Sequence, residues 1–92
     1  MYQLRLAREV SRYLEDPKAL PRDDSRRIVA AIRELAEDPR PRGSTKLKDA
    51  IHRLRVGAYR IIYHVNDEEK AVTVGRVARR REDTYRDTES LF

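Results

Sequence analysis

The chain opens with strict alternation. Tyr2, Leu4 and Leu6 are apolar and Gln3 and Arg5 between them are polar, the period of a short first strand. Val10, Tyr13 and Leu14 then fall at i, i+3 and i+4, which predicts one face of a short helix stopped by Asp16-Pro17. Pro17 to Pro21 is a connector. A second helix begins near the cap candidates Asp23 and Asp24 and carries Ile28, Ile32, Leu35 and Ala36 on one stripe. It has to end before Pro39, because the residue preceding a proline is pushed out of the helical region. Pro39-Arg-Pro-Arg-Gly43 reads as a stiff, basic loop.

After Leu47 the period changes from 3.6 to 2. Leu54 and Val56 alternate with Arg53 and Arg55, and Tyr59, Ile61, Tyr63 and Val65 alternate with Arg60, Ile62, His64 and Asn66. Val72 and Val74 carry a last strand beyond the polar turn at residues 66–70, and residues 78–87 read as a loop or a short helix. The expected architecture is α+β. An N-terminal strand and two helices precede a three-stranded antiparallel meander, all in one sheet with the helices on one face. No repeat and no linker interrupts it, so residues 1–92 are expected to form a single domain.

Composition changes the picture in two respects. The sequence has no Cys, which excludes disulfides, thiol catalysis and Cys-based zinc sites. It also has no run approaching the ~18 apolar residues of a membrane span, and its alternating, charged start does not fit a signal peptide. A cytoplasmic protein without membrane contact is expected.

Charge is the second respect. Lys and Arg number 21 against 16 acids, and 17 of the 21 are Arg. Residues 1–39 hold 8 basic and 8 acidic side chains, whereas segments 40–60 and 76–81 together hold 11 basic residues and one acid, Asp49. The excess is therefore localised, as suits a polyanion such as nucleic acid or an acidic protein partner.

The hairpin concentrates that charge. Gly57-Ala58 joins two alternating strands by two residues, with Gly first as a type II′ turn requires. That loop length sets Val56 opposite Tyr59, Arg55 opposite Arg60, Leu54 opposite Ile61 and Arg53 opposite Ile62. Leu54, Val56, Tyr59 and Ile61 then share the core face. Arg53, Arg55 and Arg60 share the other, with His64 further along. Like charges directly opposite destabilise a strand pair by roughly 0.2–1 kcal/mol, so the fold gains nothing from Arg55 facing Arg60. A bound phosphate gains a great deal, since a guanidinium grips it through two parallel hydrogen bonds.

Little else competes. His52 and His64 have neither Cys nor helical partners, so no metal site and no cofactor are expected. His52 falls on the core side; His64, on the arginine side, is a candidate acid or base. The four serines sit in no nucleophile motif, and the three glycines form no phosphate loop.

The residues resemble a known family. The element order, the Leu35-Ala-Glu-Asp-Pro39 helix end, Lys46-Leu-Lys48, the Leu54-Arg-Val-Gly-Ala-Tyr-Arg-Ile-Ile-Tyr63 hairpin and the stretch from Val77 to Tyr85 are similar to the RelE/ParE toxin superfamily over about residues 1–87. The resemblance implies a toxin of a type II toxin–antitoxin system. RelE-type members are ribosome-dependent mRNA endonucleases that cut in the A site without metal. The ribose 2′-hydroxyl attacks the adjacent phosphate, leaving a cyclic phosphate and a free 5′-hydroxyl. Carried over by position, the catalytic set is Arg53, Arg55, Arg60, Arg79 or Arg81, and Tyr85, with Lys46, Lys48 and Arg80 binding RNA and His64 a candidate acid or base. Arg60 and Arg79 would stabilise charge growing on the phosphate, and Tyr85 would stack on a base or assist proton transfer.

The second-strand pair is often Lys in the RelE pattern and is Arg here. A guanidinium stays protonated, so neither Arg53 nor Arg55 is suited to be a general base, and His64 or Tyr85 is left for the proton. Glu82 and Asp83 fit ion-pair partners of the neighbouring arginines better than a base. Implied partners are a cognate antitoxin, the ribosome with its mRNA, and operator DNA reached mainly through the antitoxin. ParE-type relatives share the fold, lack the nuclease set and inhibit DNA gyrase, which is the alternative reading. A third, a non-enzymatic nucleic-acid-binding module, fits the charge alone.

Overall fold

In the computed structural model, the structure describes residues 1–79 and 92. The elements are β1 (Gln3–Leu6), α1 (Arg8–Glu15), α2 (Arg22–Leu35), β2 (Ser44–Lys48), β3 (Ile51–Val56), β4 (Tyr59–Asn66) and β5 (Ala71–Arg79). They build one mixed sheet of order β1-β5-β4-β3-β2, an α+β architecture with both helices on one face. The meander of β2 to β5 is antiparallel, and β1 adds to the far edge parallel to β5, with Leu4 beside Val72.

Two expectations need correction. The meander has four strands, because Ser44–Lys48 pairs with β3. This segment is short, polar and at an edge, where lysines discourage pairing with other chains and leave almost no apolar alternation to read. Second, Asp23 and Asp24 do not cap α2. The N-cap is Pro21, and both aspartates lie in the first turn, where negative charge complements the helix dipole. Of the stretch expected to be a loop or helix, Ala78 and Arg79 belong to β5, and residues 80–87 lie outside the described residues. No helix among the described residues is long and apolar enough to cross a membrane.

The core lies between helices and sheet. Val10, Leu20, Ile28, Ile32 and Leu35 pack on Leu54, Tyr59, Ile61, Tyr63, Val65, Val72, Val74 and Val77. Each fully buried aliphatic side chain contributes about 1.5–3 kcal/mol of transfer free energy. Tyr63 satisfies its buried hydroxyl by donating to the Pro39 carbonyl at 2.8 Å, which ties the basic 39–43 loop to the sheet.

Candidate functional site

The hairpin has the register its two-residue loop requires. Val56 faces Tyr59, Arg55 faces Arg60, Leu54 faces Ile61 and Arg53 faces Ile62. Gly57 takes φ +58°, a conformation that an L residue adopts only under strain, while Ala58 keeps negative φ, in keeping with a type II′ turn. Val56 and Tyr59 close the two-residue loop as a hydrogen-bonded pair, so by alternation Arg55 and Arg60 form the non-hydrogen-bonded kind, in which Cα atoms approach to about 4.5 Å.

Following the register across the sheet defines the face away from the helices. One row holds Arg55, Arg60 and Ala78; the next holds Thr45, Arg53, Ile62 and Arg76; a third holds Lys48, Ile51, His64, Thr73 and Arg5. None of these strand positions is acidic. Arg53 donates to the Thr45 hydroxyl at 3.1 Å, which steadies it at the β2 side. Arg60 is 6% exposed, yet among the described residues its guanidinium has neither a hydrogen-bond acceptor nor a counter-ion. Ile62 beside it is completely buried.

A β-bulge decides which arginines of β5 join this face. Ile62 pairs with Arg76, but the next residue, Tyr63, pairs with Val74, so Gly75 is the extra residue on β5. Plain alternation from Val72 and Val74 would send Arg76 to the core side and Arg79 to the arginine side. The bulge reverses both: Arg76 reaches the row of Arg53, Val77 turns into the core, and Arg79 turns to the helix side. There the Arg79 guanidinium lies over the Tyr59 ring, 5.5 Å from its centroid. The Tyr59 hydroxyl in turn donates to the Asp24 carboxylate at 2.8 Å. Burial, and secondarily that bond to Asp24, holds the Tyr59 hydroxyl above its ordinary pKa. Asp24, Arg27, Tyr59 and Arg79 border a small recess of about 150 Å³ beside the hairpin turn. Sequence reasoning missed Arg76 as a site residue. The signal that could have found it is a glycine inside a strand pattern, together with apolar Val72, Val74 and Val77, whose spacing breaks the period of two.

The remaining residues singled out by sequence divide among several places. Lys48 lies on the arginine face, whereas Lys46 pairs with His52 on the helix side of the sheet. His52 is buried and stacked on Tyr63, with ring centroids 5.5 Å apart. Burial first, then the positive charges of Arg40 and Lys46, hold its pKa below the ordinary value. His64 is half-buried on the arginine face and meets Phe92 at 5.7 Å. Arg40, from the basic loop, is neutralised by a two-pronged contact with Asp67 at 2.8 and 3.2 Å, and Tyr2 also donates to Asp67. Arg80, Arg81 and Tyr85 lie outside the described residues. Among the described residues no three His, Asp or Glu side chains gather into a metal-binding group.

The sheet face away from the helices carries arginines from three adjacent strands, and two helices back the other face of this α+β domain. Residues 4–84 match the family model described as the ParE toxin of the type II toxin–antitoxin system parDE. The chain is also similar to a chain of the archaeal RelE–RelB complex from Pyrococcus horikoshii, with 27% identity, a TM-score of 0.78, and coverage of 88% of this chain and 97% of that one. A chain of the RelBE2 toxin–antitoxin complex from Mycobacterium tuberculosis gives 26% identity and a TM-score of 0.71, over 86% of this chain and 98% of that one. The isolated RelE toxin of E. coli shares the fold at a TM-score of 0.67 and 21% identity, over 100% of both chains. Among curated proteins none matches. The chain belongs to the RelE/ParE superfamily, the toxins of type II toxin–antitoxin systems.

Proposed function

We propose that this chain is an mRNA endonuclease of the RelE type, acting in the cytoplasm on messages held in the ribosomal A site. One observation carries the reading: Arg55 and Arg60 face one another in the hairpin, Arg53 and Arg76 lie one row further on, and no strand position of that face is acidic. The fold gains nothing from the opposition of Arg55 and Arg60, whereas a phosphodiester gains from it. In the reaction, the 2′-hydroxyl loses its proton to a base and its oxygen bonds to phosphorus. The bond from phosphorus to the 5′-oxygen breaks, and that oxygen takes a proton. The products are a 2′,3′-cyclic phosphate and a 5′-hydroxyl. Arg60, with Arg53 and Arg55, stabilises the charge that develops on the phosphate oxygens. His64 is the imidazole on this face among the described residues, and Tyr85 is the other proposed carrier of the proton. A cognate antitoxin with an acidic or amphipathic segment neutralises the toxin by covering this face, and the pair binds its operator mainly through the antitoxin.

The alternative, a ParE-type inhibitor of DNA gyrase, is favoured by the family model, which is that of ParE toxins, and by the turning of Arg79 away from the arginine face. Expression followed by primer extension separates the two. Cuts confined to ribosome-occupied messages are expected; growth arrest with intact mRNA, an SOS response and gyrase-trapped DNA breaks would replace this reading with the other.

A further inference from the structure

We propose that Arg76 is a phosphate-contacting residue of the RNA site, one that the superfamily resemblance does not assign. The proposal rests on the nuclease reading for its ligand, RNA, but on the sheet register for its geometry.

Arg76 lies directly across from Ile62 on β4, and Ile62 lies directly across from Arg53 on β3. Neighbouring strands are about 4.8 Å apart, so the backbones of Arg53 and Arg76 stand roughly 10 Å from one another on either side of Ile62. Arg60 is two residues from Ile62 on the same strand and the same face, about 7 Å along it. The three guanidinium stems thus form a triangle around a wholly buried apolar side chain. A nucleotide suits that outline. Its phosphate finds cations on several sides. Placing all three stems on paired strands means that little side-chain or backbone order has to be bought on binding.

Arg76 reaches this position only through the bulge at Gly75, and the same bulge removes Arg79 from it. Bulges recur next to active sites, where they re-aim side chains. Here the re-aimed side chain is cationic, and Val77 simultaneously completes the core. Arg79 is held instead over the Tyr59 ring on the helix side. Of these two β5 arginines, therefore, Arg76 shares a face with Arg53, Arg55 and Arg60, and Arg79 does not.

The test uses the purified chain and a single-stranded 2′-O-methyl RNA oligonucleotide, which cannot supply the attacking hydroxyl and so is not cleaved. Binding is followed by fluorescence anisotropy across a salt series for the wild type, Arg76→Gln, Arg76→Lys and Arg79→Gln. Arg76→Gln is expected to weaken binding about tenfold at low salt and to flatten the plot of log affinity against log salt by about 0.7, the share of one phosphate contact on a single strand. Arg76→Lys is expected to restore the slope. Arg79→Gln is expected to change it less than Arg76→Gln does. A role of Arg76 in stability alone would move the melting temperature and leave the slope unchanged, and that result overturns the proposal. So does a larger slope change for Arg79→Gln than for Arg76→Gln, or a wild type that does not bind the oligonucleotide. The two readings fail separately. A chain that cuts messages in cells with a salt slope indifferent to Arg76 loses this contact alone. A chain that binds RNA through Arg76 and produces no cuts loses the nuclease reading alone.

Discussion

Replacing Arg60 by Met should make the protein more stable and less active at once. The residue is 6% exposed, faces Arg55 across the hairpin, and among the described residues has no acidic or hydrogen-bonding partner. Two unit charges about 6 Å apart repel by roughly 0.7 kcal/mol in water and by nearly 3 kcal/mol at an effective dielectric constant of 20. Guanidinium groups can splay apart, so the lower figure is nearer the truth, on the ~0.2–1 kcal/mol scale of cross-strand side-chain pairs. Methionine keeps most of the buried stem and adapts to irregular space, so little packing is lost. The expected gain of about 0.5–1 kcal/mol raises the melting temperature by roughly 2–8 °C in a domain of this size. Alanine would be a poorer probe, because it opens a cavity whose cost masks that gain. Cleavage should fall by about 10²–10³, the range seen when one donor to a developing oxyanion is removed. Thermal unfolding and ribosome-dependent cleavage measured on the same preparation decide the matter. An Arg60→Met protein destabilised by more than 1 kcal/mol that still cleaves normally would show that Arg60 serves the fold, and the argument from opposed arginines would fail with it.

Three further outcomes follow from local chemistry. His52 has its pKa held below 6.5 by burial and by Arg40 and Lys46, so the unfolded chain takes up the proton first as the pH falls. Stability should therefore decline from about pH 6.5 down to the folded-state pKa, and His52→Phe, which keeps a ring against Tyr63, should flatten a series of denaturant midpoints in that window; an unchanged series would remove His52 as the cause. The Asp67 carboxylate, whose pKa is lowered chiefly by Arg40, acts in a different window, since its contribution is present above about pH 4 and lost below. Gly57→Ala meets no atom closer than 3.8 Å but must hold φ near +58°, so about 1 kcal/mol of strain and a fall of roughly 4–8 °C in melting temperature are expected; an unaltered melt would mean the turn relaxes at no cost.

The parts of this molecule legible in the sequence are those that local rules determine. A two-residue loop fixes the register of a hairpin, so the opposition of Arg55 and Arg60 followed from Gly57-Ala58 alone. Apolar spacing likewise located both helices and the core face of β4. Strand β2 escaped because an edge strand is stabilised by its partner's backbone and needs little apolar signal of its own; Ser44–Lys48 offers only Leu47. Asp23 and Asp24 were read as caps because aspartate favours that position, but Pro21, with its fixed φ and no N–H, already begins the helix. The Gly75 bulge was the costliest omission. A single extra residue inverts the facing of everything after it, so plain period-two alternation would put Arg76 and Arg79 on each other's sides.

That inversion also divides the arginines of the described residues between two settings. Arg40 is answered by Asp67, Arg5 by Glu69 at 3.4 Å, and Arg79 lies on the Tyr59 ring; all three fasten one element to another. The rows of Arg55 and Arg60, and of Arg53 and Arg76, stand on strands with no acid at any position of their face. Electrostatic attraction of this kind is indifferent to whether the visitor is a phosphodiester or a carboxylate-bearing segment of an antitoxin. On the proposed reading both would meet the same guanidiniums on the same strands, so the two occupants would exclude one another without any change of shape in the toxin. Occupation by the antitoxin should then weaken RNA binding by direct competition, and added salt should weaken both associations together, because both draw on charges arrayed on one face.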